Sequence, residues 1–325
     1  MIRAIRTSNN GLIVDVMDRP KPGPDEVLIR NHAIGLNRAD LAVVAGQMHG
    51  NQGGLGTIPG MESSGVVEAV GSSVTQFRPG DRVMASGIQA YADYMCTHQA
   101  RVMLIPDNMD FERAASFPIA LMTMHNSLID VGGMTAGAAV LIQGASSAVG
   151  LMAMKIAKLL GAGLVIGSST TAEKRKKLHQ YGADLAIDSS DPNWVQEVLN
   201  VTEQQGVDLI IDQISGAVAR SNLKATKIQG TIVNVGRLGG GLDQFDFDLH
   251  ALRRINYIGV TFRTRSMEEI GTIVQNMQAN LWSNVIKGDL DLPIDQVFSL
   301  QDVEKAVAHM KDNKHMGKII MKAVD

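Results

Sequence analysis

The residues best suited to chemistry lie in two short runs. The first is Gly144-Ala145-Ser146-Ser147-Ala148-Val149-Gly150, between the apolar run 138–142 and a long amphipathic segment. A small-residue turn leading from strand to helix lets backbone N–H groups approach an anion, the arrangement that holds a dinucleotide pyrophosphate. In the G-x-G-x-x-G spacing, Ala145 and Ser147 replace two glycines, and Gly150 keeps the helix–strand packing position. Gly144 can absorb the unusual turn, and Ser147 is expected to add a hydroxyl donor beside Ala148, Val149 and Gly150. A βαβ crossover that binds nothing is the alternative.

The second run is "VIGSSTTAEKRKK", 165–177. An NAD site places an acid at this strand end, about 20 residues beyond the glycines, to bind the ribose 2′-hydroxyl. Here Ser168 and Ser169 stand there, followed by Lys174 and Arg175. Neutral hydroxyls beside cations suit a 2′-phosphate, so the expected cofactor is NADPH. Thr170-x-x-Glu173 reads as a capping box, and the cations also fit a solvated helix face.

The elements that must position these residues follow from the pattern. From about residue 117, candidate strands 138–143, 164–167, 185–187, 207–212 and 230–235 alternate with candidate helices 149–160, 172–181, 193–202 and 217–227. Such alternation predicts a doubly wound parallel sheet, an α/β Rossmann arrangement. The first 115 or so residues carry short β runs broken by "RPKPGPDE", "GNQGGLGTIPG" and "RPGD", which predicts a small β barrel or sandwich.

Bulk properties narrow the class. The 325 residues suffice for two domains, and a formal charge of -3 gives no reason to expect nucleic acid or an anionic membrane. No apolar run reaches the roughly 20 residues needed to span a bilayer. The opening residues read as a strand, without the apolar core of a signal peptide. Cys96 is the sole cysteine, which excludes an internal disulfide and fits a reducing cytoplasm.

The ordered series "GLNRADL" (35–41), "IPGMESSGVVEAVGSSV" (58–74), "FRPGDRVMA" (77–85), "YADY" (91–94), "FERAASFPIALMTMHNSL" (111–128), "VDLIIDQISG" (207–216) and "GTIVNVG" (230–236) resembles the medium-chain dehydrogenase/reductase superfamily. Within it, the chain is most similar to the zinc-free quinone oxidoreductase (zeta-crystallin-like) branch. The resemblance implies a chaperonin-like (GroES-like) β-barrel catalytic domain from 1–116 and 284–325, and a Rossmann domain from 117–283. It implies Asn37 beside the nicotinamide ribose and substrate, supported by Asp40. A capped turn with an Arg38–Asp40 surface pair is the plainer reading of those residues. The resemblance further implies Thr123, Phe262 and Asn313 around the nicotinamide half, and Gly236 and Arg237 at the cofactor's edge.

Relatives that bind zinc carry Cys where Asn37 stands and His where Met61 stands, and this chain has no Cys/His set at ligand spacing. No metal is therefore expected. The departures from the family are Gln89-Ala90 before "YADY", and Gly46-Gln47-Met48-His49 where many relatives place a Tyr. His49 is an outside candidate for proton donor; water or a ribose hydroxyl is the simpler source. The small residues of 49–56 leave room for a sizeable electrophilic acceptor, and the loop is expected to be mobile. The reading is a metal-free, NADPH-dependent reductase of a quinone or α,β-unsaturated carbonyl. An enoyl-thioester reductase and a non-catalytic NADPH-binding protein are the alternatives. The segment 253–263 matches strands that pair across a two-fold axis in relatives, which implies a homodimer; an internal edge strand is the alternative.

Overall fold

The computed structural model describes residues 1–50 and 52–323. The chain packs as two units, Met1–Ile119 with Phe262–Asp325, and Ala120–Thr261. The helix Met267–Lys287 thus counts with the first unit, where it packs on the turn Gln99–Arg101. Among the described residues no helix is long and apolar enough to cross a membrane.

In the first unit the strand Glu26–Gly35 is the hub of a seven-stranded sheet. Val27, Leu28 and Ile29 are all buried, so both faces of this central strand are covered. It pairs antiparallel with Glu62–Val70 and with Tyr94–His98, and its end, Ala33–Gly35, pairs with Lys318–Lys322 from the far end of the chain.

The second unit is a six-stranded parallel sheet. Its order is Leu185–Ile187, Leu164–Ser168, Ala139–Ile142, Val207–Asp212, Thr226–Asn234 and Asn256–Gly259. This is the Rossmann order, with the reversal between Ala139–Ile142 and Val207–Asp212, where a ligand site is expected. Helices cover both faces, so the strands are continuously apolar: Val140, Leu141, Ile142, Ile210, Ile211, Ile232 and Val233 are all buried.

The helix Ala148–Leu159 starts at Ser147, whose side chain accepts from Gly150 N–H. It can lie so close to its strand because residue 150 has no Cβ. One added there would stand 2.6 Å from both Ala145 Cα and Gly144 O. The Thr170–Glu173 capping box is not formed. The next helix is Ala172–Lys177 with Thr171 at its N-cap and no side-chain cap bond. A start one residue later puts Glu173 at the second helical position, outside the reach of a box, and it pairs with Lys176 at 2.9 Å instead. The box that does form is Ser266–Glu269, on Met267–Lys287.

Gly150→Val should therefore destabilise the protein by about 1–3 kcal/mol or more, since backbone must move to admit the side chain. Urea melts would measure this, and an unchanged midpoint would contradict the packing argument.

Candidate functional site

At the carboxyl ends of the parallel strands, the turn is held by its own polar side chains. Gly144 takes φ +71°, the left-handed region that suits glycine. Ala145 N–H donates to Ser168 O at 2.8 Å, and Gly144 N–H donates to Ser168 Oγ at 3.0 Å. The Ser168 hydroxyl in turn donates to Gln143 Oε1 at 2.6 Å. Beyond it, Gln143 Nε2 donates to Asn222 Oδ1 at 2.9 Å and Asn222 Nδ2 to Asp212 Oδ2 at 3.0 Å. Asp212 Oδ1 accepts from Ile214 N–H and Ser215 N–H. Burial raises the Asp212 carboxyl above its ordinary range.

Ser147 Oγ lies 2.9 Å from Gly144 O and 3.0 Å from Gln213 Oε1, both acceptors, besides capping Gly150. Its proton is thus directed at protein carbonyls. The groups left to meet an anion are backbone N–H groups of the first helical turn, where Ala148 and Val149 are half-buried.

At the end of Leu164–Ser168, Ser169 is buried, and its hydroxyl lies 3.2 Å from Ser146 Oγ. Arg175 Nη1 donates to Ser169 O at 2.7 Å and to Asp188 Oδ2 at 2.8 Å. Lys174 beside it is half-buried. Gly236 backs onto Gln213, where a Cβ would stand 2.6 Å from Gln213 O, and Arg237 Nη1 donates to Val235 O. Thr123 is buried in the helix Pro118–His125. The second unit thus gathers Ser147, Ala148, Val149, Gly150, Ser168, Ser169 and Arg175 around one turn. Gln143, Asp188, Asp212, Gln213 and Asn222 were missed. Polar residues closing apolar strands were the available signal for Gln143, Asp212 and Gln213.

The first unit carries the other expected residues. Asn37 lies half-buried after the strand Glu26–Gly35. Its Nδ2 donates to Glu62 Oε1 at 2.8 Å, and its Oδ1 accepts from Lys318 Nζ at 3.0 Å. Lys318 Nζ also donates to Glu62 Oε1, and Glu62 Oε2 accepts from Ile119 N–H at 2.8 Å. Lys318 is 1% and Glu62 0% exposed, so this is a fully desolvated ion pair. Gly35 admits it, because a Cβ there would stand 2.8 Å from Glu62 Oε1 and 2.4 Å from Ala115 O. Neither Glu62 nor Lys318 was among the expected site residues.

Asp40 is buried, and its Oδ2 accepts from Asn37 N–H at 2.9 Å and from Tyr91 OH at 3.1 Å. Its Oδ1 has no hydrogen-bond partner. The Arg38–Asp40 surface pair therefore does not exist: burial removes Asp40 from the surface, and Arg38 donates to Asn313 Oδ1 instead. Asn313 holds a left-handed turn at φ +56°, and the Phe262 ring lies 5.9 Å from the Arg265 guanidinium. The loop 49–56 is anchored by His49–Gln52 backbone bonds, by Thr7 Oγ donating to Gly54 O and by Arg6 Nε donating to Gly56 O. Asn51, within it, lies outside the described residues. Among the described residues no group of three His, Cys, Asp or Glu side chains could hold a metal ion.

Desolvation pushes the Asp40 carboxyl up to about 7, against the Asn37 N–H, the Tyr91 hydroxyl and the Lys318 charge, which pull it down. A carboxyl raised in the folded state stabilises fully below about pH 4, and that contribution is lost as pH rises through about 7. Asp40→Asn cannot ionise. Between about pH 4 and pH 8 its stability relative to wild type should therefore improve, by up to about 4 kcal/mol. Paired urea melts across that range check this; a pH-independent difference would show that the buried carboxyl titrates normally.

Two family models match parts of the chain, and solved structures match nearly all of it. The description "Alcohol dehydrogenase GroES-like domain" matches residues 23–109, and "Zinc-binding dehydrogenase" matches residues 148–279. A quinone oxidoreductase of Pseudomonas aeruginosa is 31% identical over 309 residues, covering 93% of this chain and 92% of that protein. A phenolphthiocerol/phthiocerol polyketide synthase component of Mycobacterium tuberculosis is 29% identical over 96% of this chain, which spans only 14% of that protein. A mycobacterial protein solved in complex with NADPH superposes with a TM-score of 0.87 at 26% identity, over 99% of this chain and 100% of that one.

Proposed function

Because this chain belongs to the quinone-oxidoreductase-like branch of the medium-chain dehydrogenase/reductase superfamily, we propose that it transfers hydride from NADPH to a quinone or an α,β-unsaturated carbonyl without a metal. The observation that carries this reading is the end of the strand Leu164–Ser168. No acid stands there, and Arg175 is fixed against Ser169 O and Asp188 beside the half-buried Lys174. A 2′-phosphate would find the Ser169 hydroxyl, Lys174 and an Arg175 that also pairs with Asp188; a bare ribose would find no carboxylate from this strand's own end.

The residues fit the cofactor. Gly144 supplies the left-handed turn, Gly150 the close helix, and the first turn of Ala148–Leu159 the N–H groups for the pyrophosphate. Bound NADPH supplies the hydride itself. In this reading Asn37 orients the nicotinamide ribose, Asp40 holds the backbone of Asn37, and Thr123, Phe262 and Asn313 are the residues that the family resemblance assigns to the nicotinamide half. The acceptor gains a hydride and one proton, the latter from water or a ribose hydroxyl. With no metal to stabilise an alkoxide, a conjugated acceptor that delocalises the incoming charge is the chemistry that fits. Enoyl thioesters remain the competing acceptors, a reading favoured by the similarity to part of a polyketide synthase.

A homodimer belongs to the same reading. Among the described residues the strand Asn256–Gly259 pairs only with Thr226–Asn234, leaving one backbone edge open to a second copy. Light scattering should give twice 34.8 kDa.

Following NADPH oxidation against a panel of quinones, enones and enoyl thioesters decides among the readings. Turnover with quinones or enones supports the proposal; exclusive turnover with thioesters selects the alternative. Tight NADPH binding with no turnover would mark a binding protein. The double substitution Lys174→Ala/Arg175→Ala should raise KM for NADPH by roughly tenfold or more while leaving KM for NADH nearly unchanged. Equal losses for both cofactors, or stoichiometric zinc by elemental analysis, would remove the basis of the proposal.

A further inference from the structure

The Lys318–Glu62 pair plays no part in the NADPH reading, yet it touches the one side chain expected beside the nicotinamide ribose. We propose that Lys318 and Glu62 are positioning residues that lock the Asn37 side-chain amide in one of its two orientations, so that Asn37 offers an acceptor, Oδ1, to a hydroxyl in the site. The inference rests on the NADPH reading only in taking that hydroxyl to be one of the nicotinamide ribose.

An amide is nearly symmetric in shape, and only its partners decide which end is oxygen. Here the partners carry full and opposite charges. The Lys318 ammonium lies 3.0 Å from Oδ1, and the Glu62 carboxylate accepts from Nδ2 at 2.8 Å. Turning the amide over would set NH2 against NH3⁺ and a carbonyl against a carboxylate. Both charged groups are essentially unexposed, so solvent screens little of that penalty.

The charges are themselves immobile. Glu62 Oε2 accepts from Ile119 N–H, and the missing Cβ of Gly35 leaves room for Glu62 Oε1 and, 2.9 Å from where it would stand, Lys318 Cε. The valences of Asn37 are nearly all taken. The two Nδ2 protons point to Glu62 Oε1 and, at 3.4 Å, to Gly35 O. Lys318 takes one Oδ1 lone pair, and the other remains on a half-buried residue. That remaining valence selects a donor, which a ribose hydroxyl is and a substrate carbonyl is not. A buried ion pair adds little net stability over apolar residues of the same volume, so orientation is the property it supplies here.

The test uses the full chain as wild type, Lys318→Met, Glu62→Gln and the double variant. Lys318→Met alone strands a buried carboxylate and should lower the Tm; the neutral double variant should regain most of it. NADPH Kd should be weakened about fivefold and kcat lowered roughly tenfold in Lys318→Met. Both defects should persist in the double variant despite its recovered Tm. Affinity for adenosine 2′,5′-bisphosphate, which lacks the nicotinamide half, should stay within about twofold throughout. A double variant that recovers wild-type Kd and kcat along with its Tm would show that the pair acts through stability alone, and so would equal weakening of NADPH and the bisphosphate. If the wild type turns over none of the quinones, enones or enoyl thioesters with NADPH, the reductase reading falls, while the Kd comparison still decides the role of Lys318 and Glu62.

Discussion

An ammonium and a carboxylate shut away from water tie the last strand of the first unit to its sheet. Lys318 and Glu62 could not be buried singly, because an uncompensated charge in a protein interior costs several kcal/mol after relaxation. Each must find the other, and they come from strands 256 residues apart in sequence. The strand between them, Glu26–Gly35, ends in a glycine because a methyl group would collide with the pair. Asn37 follows two residues later and inherits its surroundings from that collision-free corner. The return of residues 318–322 to the sheet is thus tied to the local chemistry at residue 37, and packing and site are one problem there.

Much of this architecture was legible in the sequence. Apolar runs such as Val207–Asp212 and Leu185–Ile187 mark parallel strands because both faces of the sheet are covered, so periodicity there carries little besides tertiary information. Gly144 and Gly150 were readable for a different reason: each is required by backbone geometry, which depends on neighbours close in sequence. The pairings were not readable. Nothing local to Arg175 names Asp188 as its partner, and nothing in "GKII" shows that its lysine is buried against a glutamate. The displaced capping box is a smaller instance: a one-residue shift in helix start decided whether Glu173 faced the N-cap or its neighbour Lys176.

The two units prepare their polar groups in contrasting ways. Around the turn, hydroxyls and amides are spent on one another, so that backbone N–H groups are what an anion meets. Around Asn37, formal charges do the fixing, and Asp40 holds the same residue from its backbone side through a carboxyl whose Oδ1 has no hydrogen-bond partner. The first arrangement is mostly neutral side chains, and its relay of amides ends on the buried Asp212 carboxyl. The second contains a buried carboxyl displaced toward neutrality, and its surroundings therefore respond to protons.

The position of Ser168 limits how this protein can be altered. Its hydroxyl donates to Gln143 Oε1 and accepts from Gly144 N–H, two tasks of opposite sense that one carboxylate cannot perform. An aspartate installed there would face an oxygen across a fully buried gap. Turning Gln143 over to meet it would aim the glutamine oxygen at Asn222 Oδ1, and turning Asn222 in its turn would set oxygen against Asp212. An acid at position 168 is therefore closed to a single mutation: the amide relay would have to be rewired as far as Asp212, and evolution or design would have to cross that ground in one stride.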